Sequence, residues 1–187
     1  GLTKAIYSNS SEAEGTQNYG ITSFNSDGFT LGNSGDVNGN SNSYVSYNWK
    51  ANGSGSANTD GSINSTVSVN NTAGFSIVTY TGDGTSGSTV GHGLSKKPDM
   101  YITKVRDYAY SWGVYHKEID NDKGLLLDTS NSVLTGTGFR NSTAPTSSVF
   151  TLGGGSQPYR YTSNKSGNTY VAYCFHNVDG YQRIGKY

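Results

Sequence analysis

The amino-acid sequence predicts an all-β protein, built as an antiparallel β-sandwich or jelly roll. Gly, Ser, Thr and Asn together make up about half of the 187 residues, and these residue types favour turns and strands over helix interiors. Short apolar or alternating runs recur between clusters of turn residues, and no window keeps a 3.6-residue apolar period. About ten strands at such spacing are typical of a sandwich. Aromatic residues form 12% of the chain, too many for a disordered polar linker.

The first predicted element is a hairpin over residues 21–31. Asp27-Gly28 supplies a two-residue turn signal, with Phe24 before it and Phe29 after it. We therefore expect two short antiparallel strands joined at this dipeptide.

The second predicted element is a strand over residues 44–49. Tyr44, Ser46 and Asn48 alternate with the more apolar Val45, Tyr47 and Trp49. Alternate residues of a strand point to opposite faces. We expect Val45, Tyr47 and Trp49 to face the core. Residues 51–60 are rich in Gly, Ser and Asn and predict a loop.

The remaining strand-like runs follow at intervals typical of a sandwich. They cover residues 62–69, 75–80, 100–105, 110–116, 124–127, 149–152 and 170–175. Cys174, the single cysteine, lies in the last run and is expected to be a buried structural thiol. We divide the chain into an N-terminal β segment, residues 1–60, and a main sandwich unit, residues 61–187.

The chain also resembles itself. The run GFTLG at residues 28–32 leads to YVSYNW at 44–49, and VFTLG at 149–153 leads to YVAYCF at 170–175. The order is that of repeat-like units in a tandem array. Two similar hairpins within one sandwich explain the pattern equally well.

Composition and motifs exclude several classes of function. The net charge is zero, which removes the basic footprint of nucleic-acid binding, and no apolar stretch is long enough for membrane insertion. The glycines at 82–87 match a nucleotide-binding spacing, but the residues after them do not favour the helix that such a site needs. No nucleophile elbow occurs. A glycosidase needs two carboxylates facing each other across a cleft, which spacing along the chain does not establish. We expect no enzymatic activity.

One acidic turn carries a possible metal site. Asp120 and Asp122 have the alternating spacing of a calcium loop, with Gly124 after them. Residue 131, where such a loop carries a glutamate, is Asn. The sequence therefore offers a weak calcium site at Asp120 and Asp122, with a solvated acidic turn as the alternative, and it indicates no other cofactor.

Exposed aromatic residues point to a binding surface. Alternation over residues 108–112 would place Tyr108, Tyr110 and Trp112 on one face of a strand. Tyr159-Arg160-Tyr161 sets two more rings beside a cation in a polar stretch. Amphipathic rings of this kind suit sugars, with apolar faces and a hydroxyl edge. We name Tyr108, Tyr110, Tyr159, Arg160 and Tyr161 as candidate glycan-binding residues, while Trp112 could instead fill the core.

Several blocks of the chain resemble a domain found in tail-fibre and other virion proteins of marine and cyanobacterial phages. The matching blocks are GFTLGNSGDVN at 28–38, YVSYNWKAN at 44–52, TAGFSIVTYTG at 72–82, VGHGL at 90–94, WGVYH at 112–116, TAPTSSVFTLG at 143–153 and YVAYCFHNVDGY at 170–181. The resemblance implies a concanavalin-like β-sandwich, an extracellular or virion location, and a structural or adhesive role without catalytic residues.

Two functions follow from this resemblance. The first is a virion appendage domain, from a tail fibre or surface decoration, that contacts host-surface glycans. The alternative is a purely structural, self-assembling subunit of an extracellular filament or capsid surface, without ligand binding. Both imply a homo-oligomer, either a trimer or a filament.

Overall fold

β-Strands make up nearly all the regular structure of residues 2–186, the part of the chain that the computed structural model describes. One short helix, α1 (Gly35–Asn38), interrupts them, together with two 3-10 turns, Thr137–Phe139 and Arg160–Thr162. The strands are β1 (Lys4–Ala5), β2 (Gly15–Thr16), β3 (Ile21–Phe24), β4 (Phe29–Leu31), β5 (Ser56–Asn58), β6 (Ser65–Asn70), β7 (Phe75–Thr81), β8 (Thr89–Gly91), β9 (Met100–Val105), β10 (Gly113–His116), β11 (Lys123–Leu126), β12 (Leu134–Thr135), β13 (Val149–Thr151) and β14 (Thr169–Phe175).

An eight-stranded antiparallel sheet dominates the architecture. Its strand order is β12-β11-β10-β9-β14-β7-β6-β5. The last strand in sequence, β14, lies in the middle, where it pairs with β7 on one side and β9 on the other. Three two-stranded sheets accompany it, β1-β2, β3-β4 and β8-β13. The predicted fold class, an all-β antiparallel sandwich, is confirmed.

The main core lies between the large sheet and the β8-β13 pair. Phe150 of β13 is fully buried, and its ring lies 6.1 Å from that of Tyr80 and 4.9 Å from that of Tyr101. Cys174 points into this core and is buried, as alternation predicted. Each fully buried large apolar side chain contributes about 1.5 to 3 kcal/mol, so this layer supplies much of the stability.

The N-terminal segment covers part of the opposite face of the large sheet. The buried Trp112 donates its indole N–H to the backbone oxygens of Tyr7 and Ser10, at 3.0 and 3.2 Å. Arg106 forms an ion pair with Glu14, with its Nε 2.8 Å from the carboxylate. The hydrogen bond from Arg106 also lowers the pKa of Glu14. These contacts fasten residues 7–14 to β9 and the loop before β10.

The prediction for residues 44–49 is wrong. They form no strand, and Val45, Tyr47 and Trp49 are 75%, 74% and 51% exposed instead of facing the core. The segment lies against the face of the large sheet, where the Trp49 ring is 6.0 Å from that of Phe175. A strand needs a neighbouring backbone edge for its hydrogen bonds, and a sheet face does not supply one.

The prediction that Tyr108, Tyr110 and Trp112 share one strand face is also wrong, because β10 begins only at Gly113. The backbone N–H of Trp112 donates to the carboxylate of Asp128, 3.0 Å away, instead of to a strand neighbour. Trp112 is buried, so it belongs to the packing between sheet and N-terminal segment.

The hairpin prediction for residues 21–31 is confirmed. Strands β3 and β4 pair with Phe24 opposite Phe29, and the connection covers residues 25–28 instead of the Asp27-Gly28 dipeptide alone. The predicted loop at residues 51–60 contains one element that the sequence did not indicate, because its short strand β5 pairs with β6 at the edge of the large sheet.

Candidate functional site

The loop over residues 153–168 carries the main group of candidate site residues. The fully buried Asn164 holds it to the loop over residues 82–85. Its side-chain oxygen accepts hydrogen bonds from the backbone N–H groups of Asp83 and Gly84, at 2.9 and 3.1 Å. Its amide group donates to the backbone oxygens of Thr85 and Gly153, at 2.9 and 3.0 Å. The glycine-rich motif at residues 82–87 therefore belongs to the loop that Asn164 binds.

Three predicted tyrosine and arginine side chains meet around Tyr161. The rings of Tyr108 and Tyr110 approach it edge-on, with centroids 6.1 and 5.6 Å away. Arg160 places its guanidinium 4.3 Å from the Tyr161 ring centroid and donates a hydrogen bond to its hydroxyl, at 3.0 Å. Tyr108 is 40% exposed, and the other three residues are half-buried. The tertiary structure thus joins residues about fifty positions apart in sequence.

Lys165 completes this group and was not among the predicted residues. Its ammonium lies 4.4 Å from the Tyr108 ring centroid and 5.7 Å from that of Tyr161. It also donates to the side-chain oxygen of Asn168, 2.9 Å away. The one signal in the sequence was its place in the same polar loop as Arg160. We call Tyr108, Tyr110, Arg160, Tyr161 and Lys165 the aromatic–cation cluster.

Tyr159 lies apart from this cluster. Its ring stacks on that of Phe139, with centroids 4.7 Å apart. Its backbone adopts the left-handed conformation, φ 64°, which a bulky residue rarely takes. Tyr159 therefore turns the chain and packs against Phe139, while its neighbours Arg160 and Tyr161 belong to the cluster.

A cavity of about 420 Å³ opens beside the cluster. It is lined by Asp83, Gly84, Gly155, Arg160, Tyr161, Asn164, Lys165 and Ser166. Burial alone would raise the pKa of Asp83, but hydrogen bonds from Ser88, Thr85 and Asn164 outweigh it and lower that pKa. The cavity brings two cations and several polar groups beside the Tyr161 ring, and such a lining suits a polar ligand that also has apolar surface.

A second candidate surface lies in the N-terminal segment. Phe24, Val45, Tyr47 and Trp49, which we call the N-terminal aromatic surface, are each at least half exposed. A groove of about 920 Å³ runs between the β3-β4 hairpin, residues 47–50 and Tyr173. A contiguous exposed apolar surface on a folded domain often marks an interaction site.

The acidic turn is arranged around a lysine. Asp120 forms an ion pair with Lys123, and that hydrogen bond lowers the pKa of Asp120. Within residues 2–186, no group of three or more His, Cys, Asp or Glu side chains could together hold a metal ion. Calcium binding at Asp120 and Asp122 stays a prediction from the sequence.

Comparison with known proteins gives one match. A family model described as "Domain of unknown function (DUF7483)" matches residues 1–187. Neither the curated proteins nor the solved structures contain a match. In the described part of the chain, no helix has the length and apolar character needed to cross a membrane.

Proposed function

The chain belongs to the DUF7483 family of domains of unknown function, and we propose that it is a non-enzymatic, carbohydrate-binding β-sandwich domain of a virion appendage. The virion setting rests on the resemblance of residues 28–181 to tail-fibre domains. The carbohydrate-binding role rests on one observation, the convergence of Tyr108, Tyr110 and Tyr161 with two cations beside a cavity. The ligand class that fits this setting is a host-surface glycan.

A sugar presents two kinds of surface to a protein. A pyranose ring has C–H faces that pack on aromatic rings and hydroxyl edges that exchange hydrogen bonds with polar side chains. Tyr108 offers a partly exposed ring with the Lys165 ammonium beside it, and Arg160 offers further donors at the Tyr161 ring. Tyrosine supplies such contact area with little loss of conformational entropy.

We expect a Tyr108→Ala variant to bind surface polysaccharide about tenfold more weakly, because an aromatic contact contributes about 1 to 1.5 kcal/mol. Tyr108 makes no side-chain hydrogen bond among residues 2–186 and is partly exposed, so the fold should remain intact. The measurement is a glycan array followed by calorimetric titration of the best ligand.

The control is Tyr181→Ala, which removes the same side chain from a position outside the cluster that is more exposed than Tyr108. It should bind like the unaltered protein. If the Tyr108→Ala variant binds saccharide as tightly as the unaltered protein, the cluster is not the binding site. If no saccharide binds the unaltered protein, the proposed function is wrong.

A second candidate function is self-assembly, favoured by the N-terminal aromatic surface. Residues 44–49 repeat the pattern of β14, which in this chain pairs with strands on both sides. Within the described part of the chain, no strand pairs with residues 44–49 through backbone hydrogen bonds. A second copy of the domain would supply residues 44–49 with a strand edge and an apolar surface. Contacts of this kind between copies would build a trimer or a filament.

We expect the mass measured by light scattering to exceed the monomer's 19.8 kDa and to rise with concentration. A Tyr47→Ser, Trp49→Ser variant should fall to monomer mass, because both exposed rings are removed from the contact. Tyr181→Ser serves as the matched control. A monomer at every concentration, with no filaments in negative-stain images, would contradict this second function.

A further inference from the structure

We propose that the aromatic–cation cluster selects acidic saccharides, with Arg160 and Lys165 binding a carboxylate or sulfate group of the sugar. This inference rests on the proposed carbohydrate-binding function and specifies its ligand class. The observation behind it is that two cationic side chains line one cavity of about 420 Å³. Neither takes part in an ion pair with any residue in the range 2–186.

Arg160 keeps donors available for a ligand. A guanidinium has five N–H donors in a planar fork, and Arg160 uses one at each of its two terminal nitrogens, for the Gln157 backbone oxygen and the Tyr161 hydroxyl. Those two bonds and the Tyr161 ring fix its orientation. The remaining donors match the paired oxygens of a carboxylate or a sulfate ester.

Lys165 provides the second positive charge. An ammonium has three donors, and within residues 2–186 its recorded hydrogen bond goes to Asn168. The Tyr108 and Tyr161 rings beside the ammonium favour a cation at this position without neutralising it. A sugar seated on Tyr108 would therefore have the Lys165 ammonium at its edge.

Two carboxylates lie near these cations, and both are engaged by the protein. Asp83 accepts hydrogen bonds from Thr85, Ser88 and Asn164. Asp107 accepts three from Asn168 and Thr169. These neutral donors hold the oxygens of both carboxylates in the loop framework. With Asp83 against Arg160 and Lys165 in its lining, the cavity keeps a net positive charge.

The test compares three probes of equal chain length, which are oligogalacturonate, a sulfated galactan oligosaccharide and a neutral galactan oligosaccharide. We expect at least one acidic probe to bind about tenfold or more tightly than the neutral one, as charge-assisted hydrogen bonds imply. Preference for oligogalacturonate alone assigns a carboxylate ligand, and preference for the sulfated probe alone assigns a sulfate ligand.

An Arg160→Gln, Lys165→Gln variant should bind the acidic probes no better than the neutral one. The matched control is Lys96→Gln, Lys97→Gln, which removes the same charge from two exposed positions outside the cavity and should keep the preference. Thermal unfolding would verify that both variants are folded.

Three results would overturn the inference. If the control variant loses the preference as fully as the cluster variant, overall charge is responsible. If the unaltered protein binds neutral and acidic probes equally and Tyr108→Ala weakens both, carbohydrate binding stands and selection of acidic sugars fails. If no saccharide binds, the proposed function and this inference fail together.

Discussion

Replacement of Trp112 by alanine is expected to lower the free energy of unfolding by about 3 to 5 kcal/mol, the usual cost of truncating a buried aromatic side chain. Trp112 stacks with Tyr173 on the sheet, with ring centroids 6.5 Å apart. Its indole N–H also holds the backbone oxygens of Tyr7 and Ser10. Denaturant unfolding followed by circular dichroism measures the loss.

Trp112→Phe is the informative companion variant, because it keeps an aromatic ring and removes the N–H donor. We expect a loss of about 1 to 2 kcal/mol and faster proteolysis within residues 2–14, since the hydrogen bonds that fasten this segment are gone. If Trp112→Ala changes the free energy of unfolding by less than about 1 kcal/mol, the N-terminal segment is held by other contacts.

Replacement of Asn164 by alanine is expected to cost about 3 kcal/mol, because it removes a fully buried side chain that hydrogen-bonds the backbone of two loops. The backbone N–H groups of Asp83 and Gly84 lose their acceptor, and the backbone oxygen of Gly153 loses its donor. The loop that carries Arg160 and Lys165 loses its attachment at the same time. Saccharide affinity should therefore fall together with the thermal midpoint.

The control for this prediction is Asn40→Ala, which removes the same group from an exposed position. It should change the free energy of unfolding by no more than about 0.5 kcal/mol. An Asn164→Ala variant as stable as the Asn40→Ala variant would show that the two loops are joined by contacts other than this side chain.

Much of the fold could be predicted because its signals are local. The Asp27-Gly28 hairpin signal and the strand-like run at residues 170–175 depend on neighbouring residues, and the predicted hairpin and strand are both confirmed. The limits of elements were harder to predict. Strand β10 begins at Gly113 because Asp128, distant in sequence, takes the backbone N–H of Trp112.

The candidate site was only partly predictable. Alternation indicated Tyr108 and Tyr110, and a polar stretch indicated Tyr159, Arg160 and Tyr161. The structure brings four of these five together and leaves Tyr159 apart. Lys165 could not be predicted, because its position over Tyr108 depends on how two separate loops pack.

The pattern shared by residues 44–49 and β14 shows which features of the fold are local and which depend on long-range contacts. Composition, turn dipeptides and alternation determined an all-β chain with β14 as a buried strand, since these are short-range properties. Residues 44–49 have the same pattern, yet they form no strand and expose their rings. The difference is the neighbouring backbone, because β7 and β9 supply hydrogen bonds to β14 and a strand is completed by partners that its own residues do not encode.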